Sequence, residues 1–312
     1  MLTFAKLSKK PSQVRAFTGL KTEEFIEFAA IYQPLWQLRR AGQPKTKRLR
    51  AVGGGRHLKL SVFDDRLLCF LIYAKLYCTY DLLGYLFDID PATACRTIAD
   101  IRAVVGDQLL VKRTGRRIRT IDELLSAYPE LEEVLLDVTE QKIPRPQNKK
   151  KRKSHHSGKK QAFTIMTQVL TNKDSLMLHV SDTQSGRGHD VRLFKKSAVP
   201  NWLGRHRNKI LARADGGYQG MDKQYPLVRI ITPVKRTKKK PELTQAERRH
   251  NKQHSTKRMP VEHSFGGVKQ FQLLGQIYRG KQKDYKRYFV AVASVRNFRL
   301  LVRSEIQQTQ AA

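Results

Sequence analysis

The sequence predicts an α/β chain, a mixed sheet flanked by helices and preceded by an all-α unit. Three observations carry that expectation. Apolar residues recur at helical spacing as far as about residue 105. From about residue 130 short β-rich runs take over, two of them separated by the turn signal Thr171-Asn172-Lys173-Asp174. Helical patterns return from Thr244, and strands mixed with long helices in one stretch indicate an α/β layer arrangement.

Residues 1–60 are expected to be a helical lead-in followed by a basic linker. Thr22 is the expected N-cap before Glu23 and Glu24, acids that suit a helix N-terminus, and Phe25, Phe28, Ile31 and Tyr32 then share a helical stripe. Residues 38–60 hold eight Lys or Arg, no acid and Gly53-Gly54-Gly55, the composition of a flexible strap along a polyanion. Residues 61–115 are expected to hold three helices. Asp64–Tyr77 is apolar, a short helix follows Thr79, and Asp90-Pro91 pairs an N-cap with Pro at the first helical position. In that last helix Ala94, Ile98, Ile101 and Val105 form one face, and Thr93, Arg96, Thr97 and Asp100 form the other. Two helices, a tight turn and a polar-faced helix fit a helix-turn-helix, in which Thr93, Arg96 and Thr97 would meet DNA; the pattern fits an ordinary helical bundle as well.

Residues 130–305 carry the α/β pattern. Strands are expected at Val134–Thr139, Gln161–Leu170, Leu176–Ser181, Lys209–Ala214 and Leu227–Val234. Helices are expected at Asp190–Lys196, from Thr244 to about Lys269, and from Asp284 to about Val302.

Charge sets the partner class. Among 312 residues, 61 are Lys or Arg and 27 are Asp or Glu, a formal net charge of +34, and apolar residues make up 40 %, enough for a core. Such an excess suits a polyanion, and nucleic acid is the commonest. No long amphipathic helix gathers the charge as membrane binding would require, and no apolar run is long enough to span a bilayer. The three cysteines, Cys69, Cys78 and Cys95, sit in apolar helical stretches, form no CxxC pair and suggest neither zinc nor disulfides. With no signal-peptide core at the N-terminus, a cytoplasmic protein is expected. No GxxxxGK phosphate loop occurs, so ATP use is not indicated.

In so basic a chain, carboxylates inside apolar runs stand out. Asp137 follows Val134-Leu135-Leu136, and Asp215 ends the run Ile210-Leu211-Ala212 before Gly216-Gly217. A carboxylate at a strand's carboxyl end points into the crevice where α/β sheets bind ligands. Glu262 lies four residues after Arg258 and seven before Lys269, which places the three on one face of an unbroken helix. Hard oxygen ligands suit Mg²⁺, and two such ions can serve an in-line phosphoryl displacement. By spacing alone, Asp137 and Asp215 could equally be turn formers and Glu262 a partner of Arg258.

The stretches LLDVTE, SGKKQAFTIMTQV, GRGHDVRLF, ARADGGYQG and RMPVEHSFGGVKQF occur in this order. Together they resemble the DDE-type transposases of bacterial insertion sequences, in the insertion-sequence-five and Harbinger-like branch, and with the N-terminal helical segments the likeness spans most of residues 15–303. The resemblance implies a ribonuclease H-like catalytic domain. It implies that Asp137, Asp215 and Glu262 are the catalytic metal ligands, with two Mg²⁺ or Mn²⁺ ions per site. It implies that Arg258 and Lys269 belong to an Arg-x3-Glu-x6-Lys signature in contact with DNA. The implied reaction is attack by water at transposon ends bound through their inverted repeats, then attack by the freed 3′-hydroxyl on target DNA, in a homodimer or larger synaptic complex. The departures are Val138 for a usual Gly, Gly216 for a common Lys, Ser255 for a common Tyr, and Pro260 between Arg258 and Glu262. Against the helix expected from Thr244 to about Lys269, Pro260 offers the alternative of a helix that begins near it, with Arg258 off the Glu262 face. The alternative is a catalytically inactive or co-opted sequence-specific DNA-binding protein of the same descent.

Two further features bear on DNA. Lys149, Lys150, Lys151, Arg152 and Lys153, with Lys159 and Lys160, form a basic stretch expected to be either a DNA-contacting loop or a solvated one; Lys235–Lys240 is similar. His189 and Asp190 match the family's "HD" element, which reads either as a pair beside the metals or as a helix cap at Asp190.

Overall fold

The computed structural model describes residues 1–42, 59–238 and 240–311. Most of the expected basic linker, including Lys45, Lys47, Arg48, Arg50, Gly53–Gly55 and Arg56, lies outside the described residues, as does Lys239. The N-terminal helices are α1 (Phe4–Leu7), α2 (Pro11–Thr18) and α3 (Thr22–Ala41). Helix α3 corrects two expectations. Lys21, not Thr22, is its N-cap, and Glu24 accepts from the Lys21 N–H at 2.8 Å, a longer side chain doing the capping. The helix also runs past residue 38, so Arg39 and Arg40 are helical rather than linker.

Helices α4 (Phe63–Leu76), α5 (Tyr80–Phe87) and α6 (Pro91–Val105) follow. The expected caps form: Thr79 accepts from the Leu82 N–H at 3.3 Å and Asp90 from the Thr93 N–H at 2.9 Å. Thr97 corrects the reading of α6. Ala94, Thr97, Ile98, Ile101, Val104 and Val105 are all buried, because Thr97 stands between Ala94 and Ile101 on the inward stripe. Asp100 is also occupied inside, accepting from the Trp36 indole N–H at 2.8 Å and pairing with Arg66 at 3.2 Å. Thr93 and Arg96 keep an outward face, clustered with Asp90. Of the cysteines Cys69 is buried, whereas Cys95 is exposed on α6 and Cys78 lies between helices.

A small ladder, β1 (Leu109–Leu110) with β2 (Arg117–Ile118), and α7 (Leu124–Ala127) lead to the α/β unit. Its remaining elements are β3 (Glu133–Lys142), α8 (Lys149–His155), β4 (His156–Ser157), β5 (Ala162–Thr171), β6 (Met177–Val180), β7 (Gln184–Ser185), α9 (Asp190–Lys196), α10 (Val199–Arg205), β8 (Leu211–Ala214), α11 (Met221–Gln224), β9 (Ile230–Ile231), α12 (Gln245–Lys269), α13 (Gln272–Gly275) and α14 (Gln282–Ala311). The basic run Lys149–Lys153 is therefore helical, not a loop: Asn148 caps it by accepting from the Lys151 N–H at 3.1 Å. The sheet is mixed, as expected, in the order β4-β5-β3-β8-β9, with β6 and β7 also on β5. Strand β3 pairs antiparallel with β5 and parallel with β8, and β8 pairs parallel with β9.

Helix α14 joins the helical unit to the sheet. Asn297, fully buried, accepts from the Met177 N–H at 3.0 Å and donates to the carbonyls of Met177 and Leu110 at 2.7 and 2.8 Å. The same amide thus satisfies backbone of both β6 and β1, as a buried polar group must. Arg102 of α6 pairs with Asp284 of α14 at 3.1 Å and lies over the Tyr288 ring.

Candidate active site

The site starts from strand register. Leu136 pairs with Ala214 across the parallel strands β3 and β8, so Asp137 and Asp215 are the next residues of the two chains. Strand β8 stops at Ala214 because Asp215 turns the chain: its Oδ1 accepts from the Gly217 N–H at 2.8 Å and caps a 3₁₀ turn over Gly216–Tyr218. Both acids thus stand where the parallel pair opens into its crevice.

Helix α12 closes that edge. His250, His254, Arg258 and Glu262 follow one another at steps of four, one stripe of the helix. His250 faces the Thr232 carbonyl at 3.5 Å, and Asn251 beside it both accepts from and donates to Val234, at 2.8 and 2.9 Å. His254, buried, donates from Nε2 to the Ala214 carbonyl at 2.9 Å, fixing the residue before Asp215. Arg258 reaches Asp137 at 3.0 Å, with both side chains largely shielded from solvent. Glu262 follows, exposed, one turn further along. The helix runs unbroken from Gln245 to Lys269, as the expected span from Thr244 has it, and does not take the alternative start at Pro260. Pro260 removes a hydrogen bond and crowds the carbonyl one turn back, but docking on both sides holds the helix, through His254 before it and through Ser264, whose hydroxyl donates to the Ser175 carbonyl at 2.7 Å, after it.

Electrostatics tie the acids together. Burial pushes the Asp137 carboxyl up to about 6, and the negative charges of Asp215 and Glu262 push the same way, while Arg258 and the Val138 N–H hold it down. Asp190 is raised by its own burial and then by Asp215, with Lys159 opposing. It is the first residue of α9 rather than its cap; His189 holds the cap position, without a capping hydrogen bond. A β-carbon on Gly217 would stand 2.7 Å from Asp190 Oδ2 and 2.9 Å from Asp215 Oδ1, so two carboxylates converge there and only glycine leaves room. Lys269 is lowered by burial and by Lys160, with Asp137 and Glu140 opposing.

Asp137, Asp215, Glu262, Arg258, Lys269, Lys159, Lys160 and Asp190 are thus brought to one edge. Arg258, read from the sequence as a DNA contact, is paired internally with Asp137. Lys149–Lys153 lie on α8, Thr93 and Arg96 belong to the helical unit, and Thr97 is buried in its core. Sequence reasoning missed His250, Asn251 and His254, although their spacing with Arg258 and Glu262 was there to find. It also missed what stands next to Asp215. Val234 is clamped by Asn251 and Pro233 by the Gln219 amide at 2.9 Å, so the neighbouring Lys235 lies over Gly216, its Nζ 3.3 Å from where a β-carbon would stand.

Carboxylate oxygens are the hard donors a divalent cation takes, and the charges of Asp215 and Glu262 both act on Asp137. Among the described residues no three Asp, Glu, His or Cys side chains stand close enough to form a ready-made metal cage. Arg258 is the cation that now neutralises Asp137.

Residues 136–297 match the family described as DDE superfamily endonuclease, and residues 58–109 match its helix-turn-helix. The chain belongs to the DDE superfamily of endonucleases, with a ribonuclease H-like sheet behind a helix-turn-helix. It is 29 % identical over 250 residues to a protein of Microchaete diplosiphon described as "Probable transposase for insertion sequence element IS702", covering 80 % of this chain and 85 % of that one. A protein of Streptomyces albus G, described in similar terms for insertion sequence element IS112, is 24 % identical over 268 residues, 86 % of this chain and 87 % of its own. The family implies divalent-metal dependence and the helix-turn-helix implies DNA binding. No helix among the described residues is long and apolar enough to cross a membrane.

Proposed function

We propose that this chain is a transposase that cuts DNA at the inverted-repeat ends of its element and joins those ends to target DNA. The observation that carries the reading is the placement of Asp137 and Asp215 each one residue past the Leu136–Ala214 pair of neighbouring parallel strands, with Glu262 on the helix that closes their edge. Asp137, Asp215 and Glu262 would hold the divalent ions, Mg²⁺ or Mn²⁺. When bound, a pair of such ions supplies charge stabilisation for the attacking and leaving oxygens of an in-line displacement.

The chain's own residues do the rest. His254 holds the turn into Asp215 through the Ala214 carbonyl, and Asn251 holds the segment after β9 that presents Lys235. Lys235, Lys269, Lys159 and Lys160 bring positive charge to the edge without an acid partner among the described ion pairs, so they are available to phosphates. Arg258 neutralises Asp137 until the acids take up external cations. Water attacks the phosphodiester at the element end, breaking its P–O3′ bond to free a 3′-hydroxyl and leave a 5′-phosphate on the flank; that hydroxyl then attacks a target phosphodiester and displaces the target strand's own 3′-oxygen, which leaves as a 3′-hydroxyl. The helical unit, residues 61–115, reads the inverted repeats through the outward face of α6, with Thr93 and Arg96 nearest the DNA. Two ends must be joined, so the working form is a homodimer or larger assembly on DNA.

The test is cleavage of the DNA that flanks the gene, with and without Mg²⁺. Strand-specific cuts at the repeat boundaries that need the ion are expected. Sequence-specific binding with no cleavage under Mg²⁺ or Mn²⁺ would leave a DNA-binding protein and overturn the enzyme.

A further inference from the structure

A groove of ≈ 570 Å³ runs between α8 and the segment entering α9, lined by Lys150, Lys153, Arg187, His189 and Arg192. No carboxylate lines it. That is not a mere consequence of a basic chain. The groove around His179 includes Asp122 and Asp182, and the one beside α5 includes Asp81, Asp88 and Asp90. Nor are its cations occupied: Lys150, Lys153, Arg187 and Arg192 form no ion pair among the described residues, whereas Arg113, Arg119 and Arg205 do.

The walls are held together. The Arg187 N–H donates to the Ser154 carbonyl at 3.1 Å, joining the end of α8 to the loop before α9. The groove also ends at the acid edge, because His189, on its wall, directly precedes Asp190, whose carboxylate converges with that of Asp215. Guanidinium and ammonium groups along a walled track, with no acid to repel an anion, are the recognition chemistry of a phosphodiester backbone.

We propose that this groove is a backbone track for duplex DNA, holding the phosphates next to the one at the acid edge through Arg187 and Arg192 on one wall and Lys150 and Lys153 on the other. The inference rests on the nuclease reading for the position of the reacting phosphate, but its binding test does not. The phosphates belong either to the element's flank or to target DNA.

The experiment uses the full chain with Arg187→Gln and Arg192→Gln combined, the conservative pair Arg187→Lys and Arg192→Lys, and Lys173→Gln as a control in the turn at the far end of β5. Affinity for duplex DNA is measured over a range of salt. The Gln pair should flatten the slope of log affinity against log salt by about 0.9 per lost contact, roughly 1.8 in all, equally on element-end and random DNA. The Lys pair and Lys173→Gln should keep the wild-type slope. A second arm distinguishes the sources: slower cleavage of uncut ends assigns the groove to the element's flank, and normal cleavage with slower joining of pre-cut ends assigns it to target DNA. A wild-type slope in the Gln pair overturns the track, whatever the cleavage assay gives. A flattened slope in a protein that cuts no DNA at all supports the track and refutes the nuclease reading instead.

Discussion

Helices α6 and α12 are both amphipathic, but they spend their polar residues in opposite directions. Helix α6 turns an apolar stripe inward, takes Thr97 in with it, ties Asp100 to Trp36 and Arg66, and leaves Thr93 and Arg96 outside. Helix α12 turns a polar stripe inward, so that His250, His254 and Arg258 each meet a backbone carbonyl or an acid of the sheet edge before Glu262 is reached. Buried polar groups need partners, and a charged one left without its partner is strongly destabilising. The α12 stripe therefore makes sense only around an edge that holds charge. On α6, where the core is apolar, the polar residues Thr93 and Arg96 face outward and pair only with the cap residue Asp90 and each other.

The sharpest test of that contrast removes single acids. On the proposed reading, Asp137→Asn, Asp215→Asn or Glu262→Gln should lower cleavage by about 10³-fold or more, since each would remove a ligand of an ion that contributes several kcal/mol at the transition state. Duplex affinity should stay within about twofold, because no phosphate contact is lost; filter binding alongside cleavage reads both. Loss of DNA binding instead would make the edge a structural element like the α6 core.

Arg258→Met comes next. Removing one partner of a shielded ion pair leaves a charge uncompensated, at a cost of about 3–5 kcal/mol at neutral pH, and less below about pH 6, where Asp137 takes up a proton. In wild type without metal, folding favours protonated Asp137, since its carboxyl is raised from 3.8 to about 6. That stabilisation is complete below about pH 4 and fades as pH rises through about 6, by up to about 3 kcal/mol. Thermal unfolding in chelator from pH 4 to 8 should show this trend, and Asp137→Asn should abolish it.

A smaller effect is expected at Asn251→Ala, which deletes two hydrogen bonds to Val234 and should lose about 1–3 kcal/mol of local stability. Through Lys235 it should slow cleavage while metal binding stays intact. Unchanged rates would show that the Lys235 segment needs no clamp. On α6 the effect falls on sequence discrimination rather than on stability. Arg96→Ala should reduce discrimination between element-end and random DNA by about 1–3 kcal/mol, whereas Thr97→Ser, inside the core, should leave discrimination unchanged. Competition binding checks both, and equal losses on both DNAs for Arg96→Ala would make it a phosphate contact.

Much of this was legible in the residues. Alternating and helical periodicities gave α5, α6, the β5–β6 hairpin, α9 and α12 close to their observed limits, because caps such as Asp90-Pro91 and Thr244 are local chemistry. Asp137 and Asp215 stood out as acids ending apolar runs. What sequence could not supply was direction. Thr97 reads as polar until the inward stripe of α6 is known to be wide enough to include it. Pro260 reads as a helix start until docking on either side is seen to hold the helix through it. Asp190 reads as a cap until its carboxylate is found opposite Asp215. The run Lys149–Lys153 reads as a loop because its like charges oppose a helix, and a single Asn148 cap together with packing on β5 reverses that outcome.

The most direct test of the shared acid site is calorimetric titration of the metal-free protein with Mn²⁺ at pH 7. Wild type should bind the ion. Asp137→Asn, Asp215→Asn and Glu262→Gln should each weaken binding by more than tenfold, while a folded Arg258→Met, stripped of the internal cation that now occupies Asp137, should bind at least as tightly as wild type. Wild-type affinity in any one of the three acid variants would contradict a common site, and lost binding in a folded Arg258→Met would contradict the role given to that arginine.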